Sequence, residues 1–268
     1  MNFTLSLVIL AVAALCNAIN AQTFANFPAG YDNKPEQVLK GPIHTVLTIE
    51  QREEHVFSTV VDAYDEKGRI TESLSSNANI EIHSGKLVRL GVKTTFIYTA
   101  AGQLVRSNRF GPEGESWGYD LYKYDDKGRL VEIALFDKEG KSRGWERYAY
   151  APDKREVEAT WQFIYSGEPP RGKPMRSILK YDEANRWMSR TMFLSDNDTV
   201  TFGYDGQGNF VKEDHNGYGH TYTYEFDKYG NWIERIRAYY QLSDKSYNSP
   251  DDMHAYRVIT YYPELLVK

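Results

Sequence analysis

The chain has 268 residues, a formal net charge of −5 at pH 7 and a single cysteine. A mildly acidic chain lacks the basic surface that nucleic acids require, so no nucleic-acid partner is expected. The lone cysteine, Cys16, excludes internal disulfide bonds and cysteine-rich metal sites. Aromatic residues make up 14% of the chain, including 21 tyrosines, which indicates that rings contribute much of the packing.

Residues 1–21 have the pattern of a signal peptide. An apolar run over residues 5–16 fits the core of a secretory signal and is too short to span a bilayer as a helix. We predict cleavage before Gln22, because small residues precede it. Lipidation at Cys16 is an alternative, but Leu15 is larger than the residue that a lipoprotein signal favours. The segment predicts a secreted, periplasmic or cell-envelope protein, and no later apolar run reaches the length of a membrane span.

Residues 22–42 are predicted to form an extended leader. Pro28, Pro35 and Pro42 interrupt this stretch, and proline disfavours regular helices and strands. The remaining residues, 43–268, are predicted to form one domain that is built from repeats.

A short phrase recurs along this domain: a leading ring, then Asp, and Gly three residues after the Asp. The Asp side chain caps the backbone that follows it, and the Gly adopts the positive φ that closes a type I turn with a bulge. The phrase therefore predicts a β-hairpin turn. Its copies, some of them degenerate, begin at Tyr64, Tyr98, Tyr124, Tyr150, Tyr181, Tyr204 and Phe226. The predicted turn residues are Asp65, Gly68, Asp125, Gly128, Asp205, Gly208, Asp227 and Gly230.

Strands are expected on both sides of each turn. In residues 221–226 rings alternate with polar side chains, so Tyr222, Tyr224 and Phe226 share one face. Segments such as 136–140 and 215–220 are predicted to turn the chain back at the opposite edge of the sheet. Unequal repeat spacing indicates that loops are inserted at one edge. We predict an all-β fold in which tandem antiparallel β-hairpins form a continuous twisted or curled repeat sheet, either open or closed.

The repeated phrase resembles the YD repeat of the RHS family over roughly residues 57–240. The resemblance implies successive β-strands and hairpins wound into one continuous sheet. In large RHS proteins such a sheet forms a closed shell around a cargo polypeptide. The array here is too short to enclose a protein and no toxin domain is recognised after it, so cargo delivery is not expected.

Aromatic rings are the leading candidates for ligand binding, because an exposed flat ring can stack on the face of a sugar. The candidate ligand-binding residues are Trp117, Tyr119, Trp145, Trp161 and Tyr165. The alternative is that these rings pack the sheet. Trp187 and Trp232 occupy the apolar position after their turns and are predicted to be core residues.

Two histidines, His215 and His220, are weak candidates for a metal pair. They flank a predicted four-residue turn beside Asp214, which would bring both imidazoles together. A hairpin tip rich in Asn and Gly explains the same segment without a metal. No other metal site, no cofactor and no catalytic residue is predicted, because the repeated aspartates cap turns and no serine elbow or phosphate-binding glycine loop is found.

These observations favour a secreted β-repeat module that binds a glycan or another cell-surface polymer. The main alternative is a structural protein that pairs with partner chains through open sheet edges. A hydrolase with an unrecognised site is the third hypothesis. A binding module would show an exposed row of rings, and an assembly protein would show an uncovered edge strand. A hydrolase would show a cleft with clustered carboxylates.

Overall fold

A computed structural model describes residues 39–52, 55–77, 82–83, 86–87, 91–152, 155–164, 173–184, 186–193, 197–241 and 252–262. These residues form 18 β-strands. The strands are β1 (Ile43–Arg52), β2 (His55–Tyr64), β3 (Ile70–Asn77), β4 (Ile82–His83), β5 (Lys86–Leu87), β6 (Val92–Tyr98), β7 (Leu104–Phe110), β8 (Ser116–Tyr124), β9 (Leu130–Asp137), β10 (Ser142–Tyr150), β11 (Glu156–Phe163), β12 (Met175–Tyr181), β13 (Trp187–Phe193), β14 (Asn197–Tyr204), β15 (Phe210–His215), β16 (Tyr218–Phe226), β17 (Trp232–Gln241) and β18 (Met253–Tyr261).

Sixteen strands form one closed antiparallel barrel, and β4 and β5 form a small separate hairpin. Each barrel strand pairs with the strands before and after it in the chain, except that β3 pairs with β6 and β1 pairs with β18. The prediction of an all-β fold built from antiparallel hairpins is confirmed. The question of an open or closed sheet is answered by the β1–β18 pairing, which joins the two ends of the array.

The two faces of the strands differ in chemistry. The register places Tyr148, Ala159 and Ser177 side by side on β10, β11 and β12, and all three are buried. Alternate residues point to the opposite face, where Arg176 and Glu158 form an ion pair with side chains 42% and 39% exposed. The buried face therefore points into the barrel, and the charged face points outward.

The two ends of the barrel also differ. At one end, which we call the YD end, each of the seven connections between described barrel strands carries a copy of the repeated phrase and is five residues long. At the other end, which we call the loop end, connections between barrel strands range from two residues between β15 and β16 to fourteen, including β4 and β5, between β3 and β6. The prediction that extra residues are inserted at one edge is confirmed, and this end is where a repeat scaffold has most freedom to vary.

The largest cluster of buried side chains joins four neighbouring strands, β9 to β12. Its members are Leu130, Tyr148, Val157, Ala159, Trp161 and Leu179. A second cluster lies where the barrel closes and contains Ile43, Val46 and Tyr64, with Leu39 and Tyr261 packed against it. Residues from the beginning and the end of the domain thus share one apolar contact at the β1–β18 pairing.

The predicted signal peptide, Cys16, Tyr165 and most of the predicted leader lie outside the described residues. The last residues of the leader, 39–42, are described and run directly into β1. Within the described ranges, no helix has the length and apolar character needed to cross a membrane.

Candidate functional site

Each turn of the repeated phrase is held by its own aspartate. Asp125 Oδ1 accepts hydrogen bonds from the backbone N–H groups of Lys127 (3.0 Å) and Arg129 (2.8 Å). The N–H of Arg129 contributes most to holding the pKa of the Asp125 carboxyl below its ordinary value. Gly128 has a φ of 76°, in the left-handed region that favours glycine. Because this carboxylate is engaged within its turn, it is a poor candidate for acid–base catalysis.

The other predicted turns share this geometry. The N–H groups two and four residues after each Asp donate to its side chain, for Asp65, Asp205 and Asp227. The glycines of these turns, Gly68, Gly208 and Gly230, have φ values of 85°, 87° and 80°. The YD end is therefore a row of similar capped turns, and its carboxylates are structural.

Trp161 is not accessible to a ligand. Its side chain is 2% exposed and packs with Tyr148 and Leu179 in the main core cluster. Its interpretation as a ligand-binding ring is therefore corrected: its position on β11 turns the indole into the barrel. Trp232, predicted to be a core residue, is also 2% exposed.

Trp117 is a large ring held in place at the surface. The residue is 48% exposed, and its Nε1–H donates to Glu115 Oε1 over 2.8 Å. Glu115 Oε2 accepts the backbone N–H of Glu113 at 3.0 Å. Gly111 leaves room for this pair, since a Cβ there would lie 1.8 Å from Glu115 Oε1 and 2.4 Å from Trp117 Nε1. The turn over residues 111–115, which the sequence alone did not mark as part of a site, thus sets the direction of the indole.

Tyr119 lies on the outer face of β8, two residues along from Trp117. It stacks on its cross-strand partner Phe136, with ring centroids 5.0 Å apart and an angle of 18° between the planes. From the other neighbouring strand, β7, the guanidinium carbon of Arg106 lies 4.0 Å from the centroid of the Tyr119 ring. The contacts from β7 and β9 fix the Tyr119 ring and leave Trp117 as the more accessible of the two.

Trp145 extends this surface to β10. It pairs with Ala134 of β9, whose small side chain leaves the indole half-buried on the outer face. The guanidinium carbon of Arg147 lies 4.4 Å from the centroid of the Trp145 ring. We call the four residues that line this surface the outer ring patch. They are Trp117, Tyr119, Phe136 and Trp145.

The two candidate metal-binding histidines contact one carboxylate. The turn between β15 and β16 has two residues, Asn216 and Gly217, instead of the predicted four, so His215 pairs with Tyr218 and not with His220. Both imidazoles nevertheless approach Glu213: His215 Nε2 lies 3.0 Å from Oε1, and His220 Nδ1 lies 3.9 Å from Oε2.

Other contacts in this region are structural. Glu213 Oε2 also accepts the Tyr222 hydroxyl at 3.0 Å. Asp214, expected beside the histidines, points to the opposite face and accepts hydrogen bonds from Gly217 N–H and the Tyr240 hydroxyl. Among the described residues, no group of three or more His, Cys, Asp or Glu side chains is arranged to hold a metal ion.

Two carboxyl groups lie on the inner face of the strands that carry the patch. Asp120 accepts a hydrogen bond from Ser107 Oγ at 3.1 Å, and burial raises its pKa. Burial likewise raises the pKa of Glu146, which interacts with Tyr148. The sequence alone did not mark Asp120 and Glu146 as candidate site residues. A signal was present, since the order glycine, ring, acid occurs at both, in Gly118-Tyr119-Asp120 and Gly144-Trp145-Glu146. Asp120 also pairs with Arg109 at 3.1 Å, so both carboxyl groups are engaged within the sheet that supports the patch.

No protein-family model and no curated protein matches the chain. Among solved structures, a porin-like protein from Bacteroides uniformis is similar over 85% of this chain and 100% of its own, with 12% identity and a TM-score of 0.39. Crystal structures of TcdB2-TccC3-Cdc42 and of TcdB2-TccC3 each match 75% of this chain, with 17% identity and a TM-score of 0.30. The matched region spans 13% of each of those two chains. All three likenesses are distant.

Proposed function

We propose that the protein is an exported binding module that holds a carbohydrate polymer of the cell surface against the outer ring patch. The observation that carries the proposal is the exposed indole of Trp117, whose N–H is bound by Glu115. An exposed tryptophan ring does not contribute the favourable free energy that its burial would give to the folded state. Holding that ring in one direction lowers the entropic cost of binding, and tryptophan is a frequent anchor of binding sites.

The neighbouring rings support a polymeric ligand. Tyr119, Phe136 and Trp145 continue the apolar surface from Trp117 across three strands, β8 to β10. Adjacent strands lie about 4.8 Å apart, so the patch is about 10 Å wide across the strands. The patch lies on the outer face of the barrel, where an extended chain can cross several strands.

The alternative of assembly through sheet edges is disfavoured by the closure of the barrel. Because β1 pairs with β18, the sixteen described barrel strands leave no unpaired edge. Pairing with a second chain through this sheet would require the β1–β18 hydrogen bonds to break first.

Two further parts of the proposal rest on the sequence. Export to the cell envelope rests on the signal-peptide pattern of residues 1–21. Membership of the RHS family of YD-repeat proteins rests on the seven copies of the phrase, and the five-residue turn that each copy forms supports it.

The test is a binding screen of the protein against glycans and cell-wall polymers, followed by affinity measurements with variants. Trp117→Ala is expected to weaken binding of the best ligand at least tenfold, since it removes the anchoring ring. Gly111→Ala keeps the indole but displaces the Glu115–Trp117 pair, so it is expected to weaken binding as well.

The matched control is Met188→Ala, because Met188 is 52% exposed and lies on β13 at the YD end. It should bind as tightly as the unmodified protein. Circular dichroism and thermal unfolding would establish that all three variants keep the fold. Full affinity in Trp117→Ala, or no ligand in the screen, would overturn the proposal.

A further inference from the structure

We infer that the polymer bound at the outer ring patch is an acidic polysaccharide; the inference rests on the function proposed above. The first observation is the environment of Arg106. Its Nε donates to Asn108 Oδ1 at 2.7 Å, and its guanidinium covers Tyr119. Among the residues that the structure describes, no carboxylate forms an ion pair with Arg106, so its positive charge is available to a ligand.

A second excess of positive charge lies on β8 to β10, between the rings and the YD end. Glu132 accepts hydrogen bonds from Lys123 Nζ at 2.5 Å and from Arg147 Nε at 2.8 Å. These two cations lower the pKa of Glu132, with the hydrogen bond from Lys123 contributing most. One carboxylate therefore balances two cations, and the Lys123 and Arg147 side chains are 67% and 56% exposed.

The third observation is that Trp117 and Arg143 occupy equivalent places in two bulges. Each precedes a glycine, Gly118 or Gly144, at a point where the strand register shifts. The two glycines have φ values of 138° and 144°. A Cβ on Gly118 would lie 2.1 Å from the carbonyl oxygen of Phe136 on the next strand. A Cβ on Gly144 would lie 2.4 Å from the carbonyl oxygen of Gln162.

This equivalence places the backbone of Arg143 two strands away from that of Trp117. The two bulges are on β8 and β10, which are separated by one strand, or about 10 Å. Within the described ranges, the Arg143 guanidinium has no ion-pair or hydrogen-bond partner. The two positions lie two strands apart near the loop end, with the glycine after Trp117 paired to Asp137 of β9 and the glycine after Arg143 paired to Leu135.

The charge excess is local to this part of the barrel. On the next two strands, β11 and β12, outward cations and carboxylates match one to one, as Arg176 with Glu158 and Lys180 with Glu156. The whole chain carries a net charge of −5. Beside Trp117, Glu115 offsets part of this excess, since hydrogen bonds from uncharged N–H groups leave its carboxylate charged. The surplus of cations around the rings is therefore not a general property of the surface.

The combination indicates the chemistry of the ligand. A guanidinium binds a carboxylate through charge-assisted, often bidentate, hydrogen bonds. A sugar ring offers an apolar C–H face to an indole, and a uronic-acid sugar also carries a carboxylate on the same ring. A chain of such sugars would meet Trp117 with its face, and Arg143 and Arg106 with its acid groups.

The experiment measures binding of the full-length protein to a panel of carboxylated polysaccharides, each compared with its carboxyl-reduced form. The acidic form is expected to bind at least tenfold more tightly, and raising salt from 50 to 300 mM should reduce that difference. Arg143→Gln and Arg106→Gln should each weaken binding of the acidic form about three- to tenfold and leave the reduced form unchanged. Lys127→Gln, at the YD end, is the matched control and should change neither.

The outcomes separate the inference from the proposed function. If acidic and reduced polymers bind equally and Trp117→Ala weakens both, the patch binds sugar without charge selection, and the inference is overturned while the proposed function stands. If no member of the panel binds, both are overturned. Thermal unfolding of each arginine variant would show that a loss of affinity is not a loss of fold.

Discussion

At the scale of single residues, the glycine of the repeated phrase is required by backbone conformation and not by space. Gly128 has a φ of 76°, and the nearest atom to a Cβ built there is Gln103 Nε2 at 3.6 Å. A side chain would therefore fit without collision. The cost of a substitution comes from the left-handed backbone, which is most unfavourable for β-branched residues.

Gly128→Val is accordingly expected to lower the free energy of unfolding by about 1–2 kcal/mol. Lys127→Ala is the control, because Lys127 is exposed in the same turn and its backbone conformation suits any residue. Urea denaturation of both variants measures the difference. Equal effects would show that this turn does not depend on a left-handed glycine.

At the scale of elements, the leading tyrosine and the arginine of the phrase link neighbouring hairpins. The Tyr150 hydroxyl donates to the carbonyl oxygen of Leu130 at 2.9 Å, and Tyr124 makes the same bond to Leu104. Arg129, which pairs with the aspartate of its own turn, lies 4.3 Å from the centroid of the Tyr150 ring. Tyrosine leads six of the seven copies, and in these two its hydroxyl supplies the hydrogen bond.

Tyr150→Phe removes this donor and keeps the ring. We expect it to lower the free energy of unfolding by about 1 kcal/mol, because the buried carbonyl of Leu130 loses a hydrogen bond. Tyr218→Phe is the matched control, since Tyr218 is 46% exposed at the loop end. Chemical denaturation that gives the same stability for both variants would rule out a stabilising role for the hydroxyl.

At the scale of the whole molecule, one buried asparagine connects the two ends of the domain. Asn231 is 0% exposed and exchanges hydrogen bonds with the backbone of Lys40, at 2.6 Å to the N–H and 2.7 Å to the carbonyl oxygen. Its Nδ2 also donates to the Tyr261 hydroxyl at 2.9 Å. Asn209 holds the same place in the preceding copy, but its side chain donates to Asp205 of its own turn.

Asn231→Ala is therefore expected to destabilise the protein by about 2 kcal/mol or more, because it removes hydrogen bonds to the backbone of Lys40 and to the Tyr261 hydroxyl. Asn209→Ala should cost about half as much, since it removes a local contact. Hydrogen exchange would locate the difference: the amides of β1 and β18 should exchange faster only in Asn231→Ala. Equal protection in both variants would mean that Asn231 does not help to close the barrel.

The sequence alone predicted the features that depend on neighbouring residues. The Asp and Gly of each phrase specify a turn through bonds that span four residues, and the alternation of rings and polar groups specifies strands. The turns, the antiparallel hairpins and the insertion of loops at one end could therefore be predicted. Trp117 was among the candidate rings, but nothing in the sequence indicated that Gly111 and Glu115 hold it in place.

The tertiary structure decided what depends on distant residues. Pairing of β1 with β18 closed the sheet, and this defined an inside that holds Trp161 and an outside that displays Trp145. Trp161 and Trp145 are both rings in strands, and only the register across neighbouring strands assigns them to opposite faces. Closure depends on contacts between residues nearly 200 positions apart, such as Lys40 and Asn231, and no local pattern encodes a contact of that range.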